Sequence, residues 1–331
     1  MTKTTHSLQP PRGMHDLFDA NADRFEFVIE QAKGLAHDFK YRTLHTPLVE
    51  QASLYKRNLG ESSDVVSKEI YKVSNCSGND SEELVLRPEF TAGVARFFVE
   101  QGRHTLPLPQ GYFSYGAVFR HNRPQKGRYR QFNQLNFELF GKDCPIQDRR
   151  LLFTAIALLR LVGLALDTLV VKVNFLADVA TREEYVKRLK AQLIERRDKL
   201  SALSQQRIET NPLRVLDSND QRDKEALKDI VQITDCYTKE YKDHVDSSVS
   251  VIKTVLASSC EVIVDTTLVR GLDYYDGFVF EIEPKDNTSQ QGALIGGGRY
   301  SRLISELSNG KVNTSVVGFA CGVERLINQL I

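Results

Sequence analysis

A chain of 331 residues that is 41% hydrophobic and 26% charged has the composition of a soluble, folded protein with room for one large domain or two ordinary ones. Its net charge of +1 at neutral pH excludes capture of nucleic acid by the field of the whole molecule, so such a partner would have to be held by local basic surface. The five cysteines (Cys76, Cys144, Cys236, Cys260, Cys321) are scattered, with no CxxC pair and no histidine at metal-ligand spacing, which argues against a zinc site and for reduced thiols in the cytoplasm.

The N-terminal MTKTTHSLQPPRG has no apolar core of the kind a signal peptide needs. Residues 21–41 carry apolar side chains at helical spacing (Phe25, Val28, Ile29, Ala32, Ala36) with Asn21 as N-cap, and 41–49 read as a strand cut late by Pro47. A helix and a loop with a GESSD turn follow over 51–71, then a short strand at 83–87 and a helix at 91–101. Strands are predicted at 112–119 and 131–140, joined by a long basic loop. The apolar run 151–171 is interrupted by Arg160 and Asp167, so it reads as a buried helix over 148–164 and a strand over 168–174 and not as a membrane span.

Residues 177–260 change character: they are charge-dense and mostly helical (TREEYVKRLKAQLIERRDKL), with one break at Asn211 and Pro212. Strand signal returns over 262–269 and 278–284, followed by the glycines Gly296, Gly297 and Gly298 and a final strand running into a short helix. Strands near both ends, without regular strand–helix alternation, predict an α+β fold in which helices pack on an antiparallel sheet. The domain organisation expected is a core in two parts, 1–176 and 261–331, separated by a helical insertion over 177–260.

The basic loop carries the strongest functional signal. Arg120, Arg123, Lys126, Arg128 and Arg130 lie within eleven positions with no acid among them, and the next carboxylate is Glu138. Period-two alternation puts Gln134, Asn136 and Glu138 on one face of the following strand and Leu135, Phe137 and Leu139 on the other, a ligand face and a core face. A solvated charged hairpin, the ordinary use of a charge run, would need no such polar row.

This loop, FRHNRPQKGRYRQFNQLNFE, resembles motif 2 of the class II aminoacyl-tRNA synthetases in the form found in histidyl-tRNA synthetases. LVRGLDYY (268–275) is similar to that family's histidine-binding signature and GFACGVERL (318–326) to its motif 3; PRGMHDL, TPLVE and LRPEFTAG also match, so the resemblance runs from Pro11 to Leu326. It implies a class II synthetase-like antiparallel sheet flanked by helices, a homodimer formed around 41–50, and a cytoplasmic enzyme that activates L-histidine with ATP and Mg2+ and charges tRNA(His), with no structural metal. By the same match Arg120 contacts the α-phosphate, Arg128 assists the β- and γ-phosphates, Arg325 holds the γ-phosphate, and Arg270 joins α-phosphate and substrate carboxylate. Such chemistry is mainly positioning and charge stabilisation. For Arg325, a place in the first turn of the terminal helix would add the helix dipole.

Histidine recognition needs an acceptor for an imidazole N–H and groups for the ammonium and carboxylate. The match assigns Glu138 and Tyr275 to the imidazole, with Tyr274 beside them, Glu89 and Thr91 to the ammonium, and Gln134 to the amino-acid end; Arg123 and Gln125 would meet the tRNA acceptor end. The residues alone leave other uses open: surface ion pairs for the arginines, strand aromatics for Tyr274 and Tyr275, and close backbone approach for GGGRY (296–300), which lacks the spacing of a phosphate loop.

Three positions depart from the family: Asn133 for His, Asn122 for Glu and Phe90 for Gly. Asn133 is expected on the apolar side of its strand, and Phe90 is expected to narrow the amino-group pocket. Synthetases of this family continue past motif 3 into an anticodon-binding domain, whereas this sequence stops at Ile331, so weakened tRNA charging with intact activation is expected. The rival reading is the regulatory subunit of ATP phosphoribosyltransferase, which shares the fold, lacks that domain and binds histidine. A fragment that only dimerises is a third.

Overall fold

The computed structural model describes residues 8–59, 69–74, 82–122, 127–218, 220–269, 274–286 and 292–330. The GESSD turn, Cys76, Arg123, Gln125 and Arg270 lie outside these residues.

Helix α1 (Asp19–Asp38) opens the core. Its cap is Phe18, in extended conformation, and Asn21 sits inside the first turn with its backbone N–H bonded to the Phe18 carbonyl. The predicted strand 41–49 divides into β1 (Tyr41–Thr43) and β2 (Val49–Gln51), which join different sheets. Pro47 has no N–H to offer a ladder, and Arg87 takes the Thr46 carbonyl at 2.9 Å, so the backbone there serves a side chain and not a strand. Helix α2 (Ala52–Leu59) leads to β3 (Lys72–Val73) and β4 (Leu84–Leu86), which complete a small sheet with β2. Helix α3 (Thr91–Glu100) follows.

The long hairpin β5 (Gln110–Phe119) and β6 (Gln131–Gly141) begins the main sheet, and α4 (Pro145–Leu161) covers it with Pro145 in the first turn, where its missing N–H costs nothing. Strand β7 (Leu169–Phe175) runs into α5 (Val179–Glu195), which is capped by Asp178 accepting from the Thr181 N–H at 3.0 Å. Helices α6 (Ala202–Thr210), α7 (Gln221–Ala226) and α8 (Lys239–Leu256) lead to β8 (Glu261–Val264). The chain ends with β9 (Phe278–Pro284), β10 (Ile295–Arg299), α9 (Ser301–Leu307), β11 (Ser315–Gly322) and α10 (Val323–Ile327).

The main sheet has the order β1-β5-β6-β11-β10-β9-β7-β8. Its interior pairs are antiparallel as expected, but both edge pairs, β1 with β5 and β7 with β8, are parallel. At the far edge the cause is the connection: β7 and β8 are joined through helices, the last of which crosses back over the sheet, and a crossover of that kind returns the chain in the same direction.

One face of the sheet presents Leu135, Phe137, Leu139, Phe319 and Phe280 to a core closed by α1, α4 and α8. The opposite face packs Tyr112, Phe140, Val279 and Val316 with α3 and α9 at one end and carries the cavity described next at the other. The helices of 177–260 are of two kinds: α8 buries Val245, Ile252 and Leu256 in the first core, whereas Tyr185, Leu189, Leu193 and Ile208 of α5 and α6 belong to the second.

Candidate active site

The site begins with side chains that are missing. Gly318, Ala320 and Gly322 alternate along one face of β11, and Gly296 lies opposite Ala320 on β10, so the middle of the sheet forms a floor of bare backbone. Above it opens a cavity of about 720 Å3, within the range of small-molecule sites. Gln134 on β6 and Glu281 on β9 stand on either side of the floor. Glycine is required at Gly318 by close approach, because a methyl group there would fall on the Glu138 carboxylate.

Arg120, Arg128 and Arg325 all line this cavity, as their motifs suggest. Arg120 donates to the Pro88 carbonyl at 2.9 Å and lies over the Phe132 ring at 5.5 Å. Arg325 donates to the carbonyls of Gly127 at 3.2 Å and Ala293 at 2.7 Å. These carbonyls help to aim both side chains. The helix bearing Arg325 has only five residues, too short for the dipole contribution expected of it, so the guanidinium itself supplies the positive charge.

Further in, Glu89, Thr91, Gln134, Tyr274 and Tyr275 line the cavity. Glu89 accepts from the backbone N–H groups of Thr91 at 2.5 Å and Ala92 at 2.9 Å, which fixes it at the start of α3. Burial raises its carboxyl above the ordinary range, opposed by those N–H groups and by Arg120. Gln134 lines the cavity, and its side-chain oxygen is buried with no hydrogen-bond partner among the described residues.

Glu138 is on the predicted face but does not line the cavity: it is fully buried behind Thr91. It accepts from the Thr91 hydroxyl at 2.6 Å, from Asn136 Nδ2 at 2.8 Å and from the Tyr300 hydroxyl. Burial pushes its carboxyl up to about 7, against the pull of those three donors. Tyr274 and Tyr300, with ring centroids 5.3 Å apart, are held protonated by burial.

Sequence reasoning missed Tyr300, Asn136, Glu281 and Glu324. Tyr300 ends the GGGRY run, where the glycines drew the attention, and Asn136 stands on the polar row between two residues that were assigned. Glu324 lines the cavity and accepts from the Asn133 backbone at 2.8 Å and its side chain at 2.9 Å. Asn133 thus lies on the side expected, but it grips the helix that carries Arg325. Phe90 does not narrow the pocket: it is buried with its ring 4.1 Å from the Arg87 guanidinium, away from the cavity. The residue between two inward-facing neighbours at the start of α3 has to face the core.

The helical segment closes the outer side of the cavity with Ser201, Leu203, Arg207, Arg214 and Ser218. Arg182 of α5 donates to the Tyr275 carbonyl at 2.6 Å, tying that segment to the inner pocket.

The sequence matches the profile of the histidyl-tRNA synthetase family over residues 13–326. It is 40% identical over 317 residues to the histidine–tRNA ligase of Neorickettsia sennetsu, covering 96% of this chain and 74% of that protein. With the histidine–tRNA ligase of Novosphingobium aromaticivorans it shares 39% identity over 326 residues, 98% of this chain and 75% of the relative. The apo histidyl-tRNA synthetase of S. aureus superposes with a TM-score of 0.75 at 28% identity, over 98% of this chain and 74% of that one. A Bacillus halodurans protein described as an ATP phosphoribosyltransferase regulatory subunit/histidyl-tRNA synthetase gives a TM-score of 0.68 at 21% identity, over 98% of this chain and 84% of that one, a likeness of fold alone. On the profile match and these identities, the chain belongs to the histidyl-tRNA synthetase family.

Proposed function

We propose that this chain acts as a histidine–tRNA ligase: it joins the carboxylate of L-histidine to the α-phosphate of ATP, releases pyrophosphate, and passes the histidyl group to a terminal ribose hydroxyl of tRNA(His). The observation that carries this reading is one cavity, floored by bare backbone, that is lined both by Arg120, Arg128 and Arg325 and by the acceptors Glu89, Thr91 and Gln134. A subunit that only bound histidine would need the acceptors but not the arginines.

In the activation step a carboxylate oxygen of histidine attacks the α-phosphorus and the bond to the bridging oxygen breaks, its electron pair leaving on pyrophosphate. Arg120 and Arg270 stabilise the charge that builds on the α-phosphate oxygens, and Arg128 and Arg325 hold the β- and γ-phosphates that depart. Glu89, Thr91 and Gln134 accept from the ammonium group, while Tyr274, Tyr275 and, through its hydrogen-bonded network, Glu138 recognise the imidazole. Magnesium would arrive as the salt of ATP, and Glu281 and Glu324, both on the cavity wall, would supply the one or two carboxylates such an ion uses beside phosphate oxygens. Arg123 and Gln125 are assigned to the tRNA acceptor end by their motif positions. A pocket that hydrogen-bonds a polar side chain rejects analogues lacking it by as much as ~10⁴-fold to 10⁵-fold, enough to discriminate without editing.

The organisation proposed is a catalytic core from 1–176 and 261–331 with the helical insertion 177–260 beside its cavity. A homodimer would form around residues 41–50, where Leu48 and Val49 are exposed. No helix among the described residues is long and apolar enough to cross a membrane. Replacing Arg270 by Ala tests the mechanism: ATP/pyrophosphate exchange should fall by roughly 10²-fold to 10³-fold, the loss typical of one transition-state charge partner. Equal rates for variant and parent would remove Arg270 from the reaction.

A further inference from the structure

The hydrogen bonds behind the histidine pocket run in one direction. Asn136 Nδ2 donates to Glu138 Oε1 at 2.8 Å and to the Thr91 hydroxyl oxygen at 3.2 Å, and the Thr91 hydroxyl donates its only proton to the same Glu138 oxygen at 2.6 Å. One oxygen of Glu138 thus accepts from the amide and from the hydroxyl at once, while the Tyr300 hydroxyl bonds the other. Thr91, having spent its proton on Glu138 and one lone pair on Asn136, has a single lone pair left to present to the cavity it lines. Asn136 is fully buried and off the cavity wall, and its own carbonyl oxygen has no partner among the described residues. A buried amide that leaves its acceptor unsatisfied in order to place both N–H groups costs stability, and the return is in what those N–H groups control.

We propose, building on the histidine-activating reading above, that Asn136 is a positioning residue for histidine: its amide favours the ionised form of Glu138 and leaves the Thr91 hydroxyl with a lone pair turned toward the substrate ammonium. Besides Thr91 and Asn136, the groups that face Glu138 among the described residues are Glu89, Tyr41, Tyr274 and Tyr300. The three tyrosines are held protonated by burial, and Glu89 makes no hydrogen bond to Asn136, so removing the amide acts first on Glu138 and Thr91. Losing a donor to a carboxylate raises the pH at which it ionises.

The test compares Asn136→Ala with the parent in ATP/pyrophosphate exchange, measuring KM for histidine and for ATP from pH 6 to 9. Because histidine's own titration is common to both proteins, the ratio of their KM values isolates the enzyme. That ratio for histidine should be about tenfold at pH 7 and below and fall by pH 9 to the smaller, pH-independent factor that the Thr91 contact contributes, while KM for ATP stays the same. A ratio that is flat with pH, or an equal change in KM for ATP, would overturn the role of Asn136 alone. A parent that shows no histidine-dependent exchange would overturn the reading itself and Asn136 with it. Should the Ala variant fail to fold, Asn136→Asp keeps the shape and removes the amide hydrogens, and it must shift the ratio in the same direction for the role to stand.

Discussion

Glu138 and Asp148 are carboxyls that burial pushes up to about 7, the first beneath the pocket and the second where α4 meets Arg299 at 2.7 Å. In the unfolded chain both ionise near the ordinary carboxylate value of roughly 4. Across the interval from there to about 7 the native state therefore keeps protons that the unfolded state has released. The stabilisation this gives is complete below the unfolded value and is lost as pH rises through the native one, an effect on the order of 3 kcal/mol per group. Glu138→Gln should flatten the dependence of the urea midpoint on pH between 4.5 and 7 relative to the parent. Parallel profiles would mean that Glu138 ionises like an exposed acid.

The helix that carries Arg325 has five residues and is not stable by its own hydrogen bonds, so contacts between β6 and α10 help to hold it in place. The Asn133 backbone and side chain both donate to Glu324, and Val323, Leu326 and Ile327 bury on the α1 side. Asn133→Ala removes the side-chain bond, and KM for ATP should rise about threefold to tenfold, consistent with one hydrogen bond to a charged group, while KM for histidine is unchanged. A rise in both would mean that the sheet itself has shifted.

The hairpin β5–β6 and its polar row were legible in the sequence because alternation is a local signal, whereas the grouping of Arg120, Arg128 and Arg325 came from the motif resemblance. Tyr300 and Glu324 were not, because each matters through a partner more than 160 residues away, Glu138 and Asn133 respectively, and sequence spacing carries no sign of such pairs. The parallel edges escaped for a similar reason: alternation tells which face a strand buries, not the direction in which its neighbour runs. Phe90 was misplaced because inserting a large residue between two pocket residues suggests crowding, whereas at the start of a helix successive side chains point about 100° apart.

For the molecule as a whole, the cavity lies between the sheet and the helical segment, while the small sheet β2-β4-β3 stands apart from it. Leu48 and Val49 are exposed beside that small sheet, and a charge placed among such residues would oppose burial against a second copy. Leu48→Asp should convert a dimer into a monomer in sedimentation velocity at micromolar concentration; an unchanged dimer would move the interface elsewhere.

Every role assigned to the cavity assumes that it couples histidine to ATP. ATP/pyrophosphate exchange by the purified chain, measured with and without L-histidine, tests that coupling directly. Exchange that depends on histidine is the predicted result. Histidine binding without exchange would contradict it, leaving a pocket that recognises the amino acid beside arginines that activate nothing.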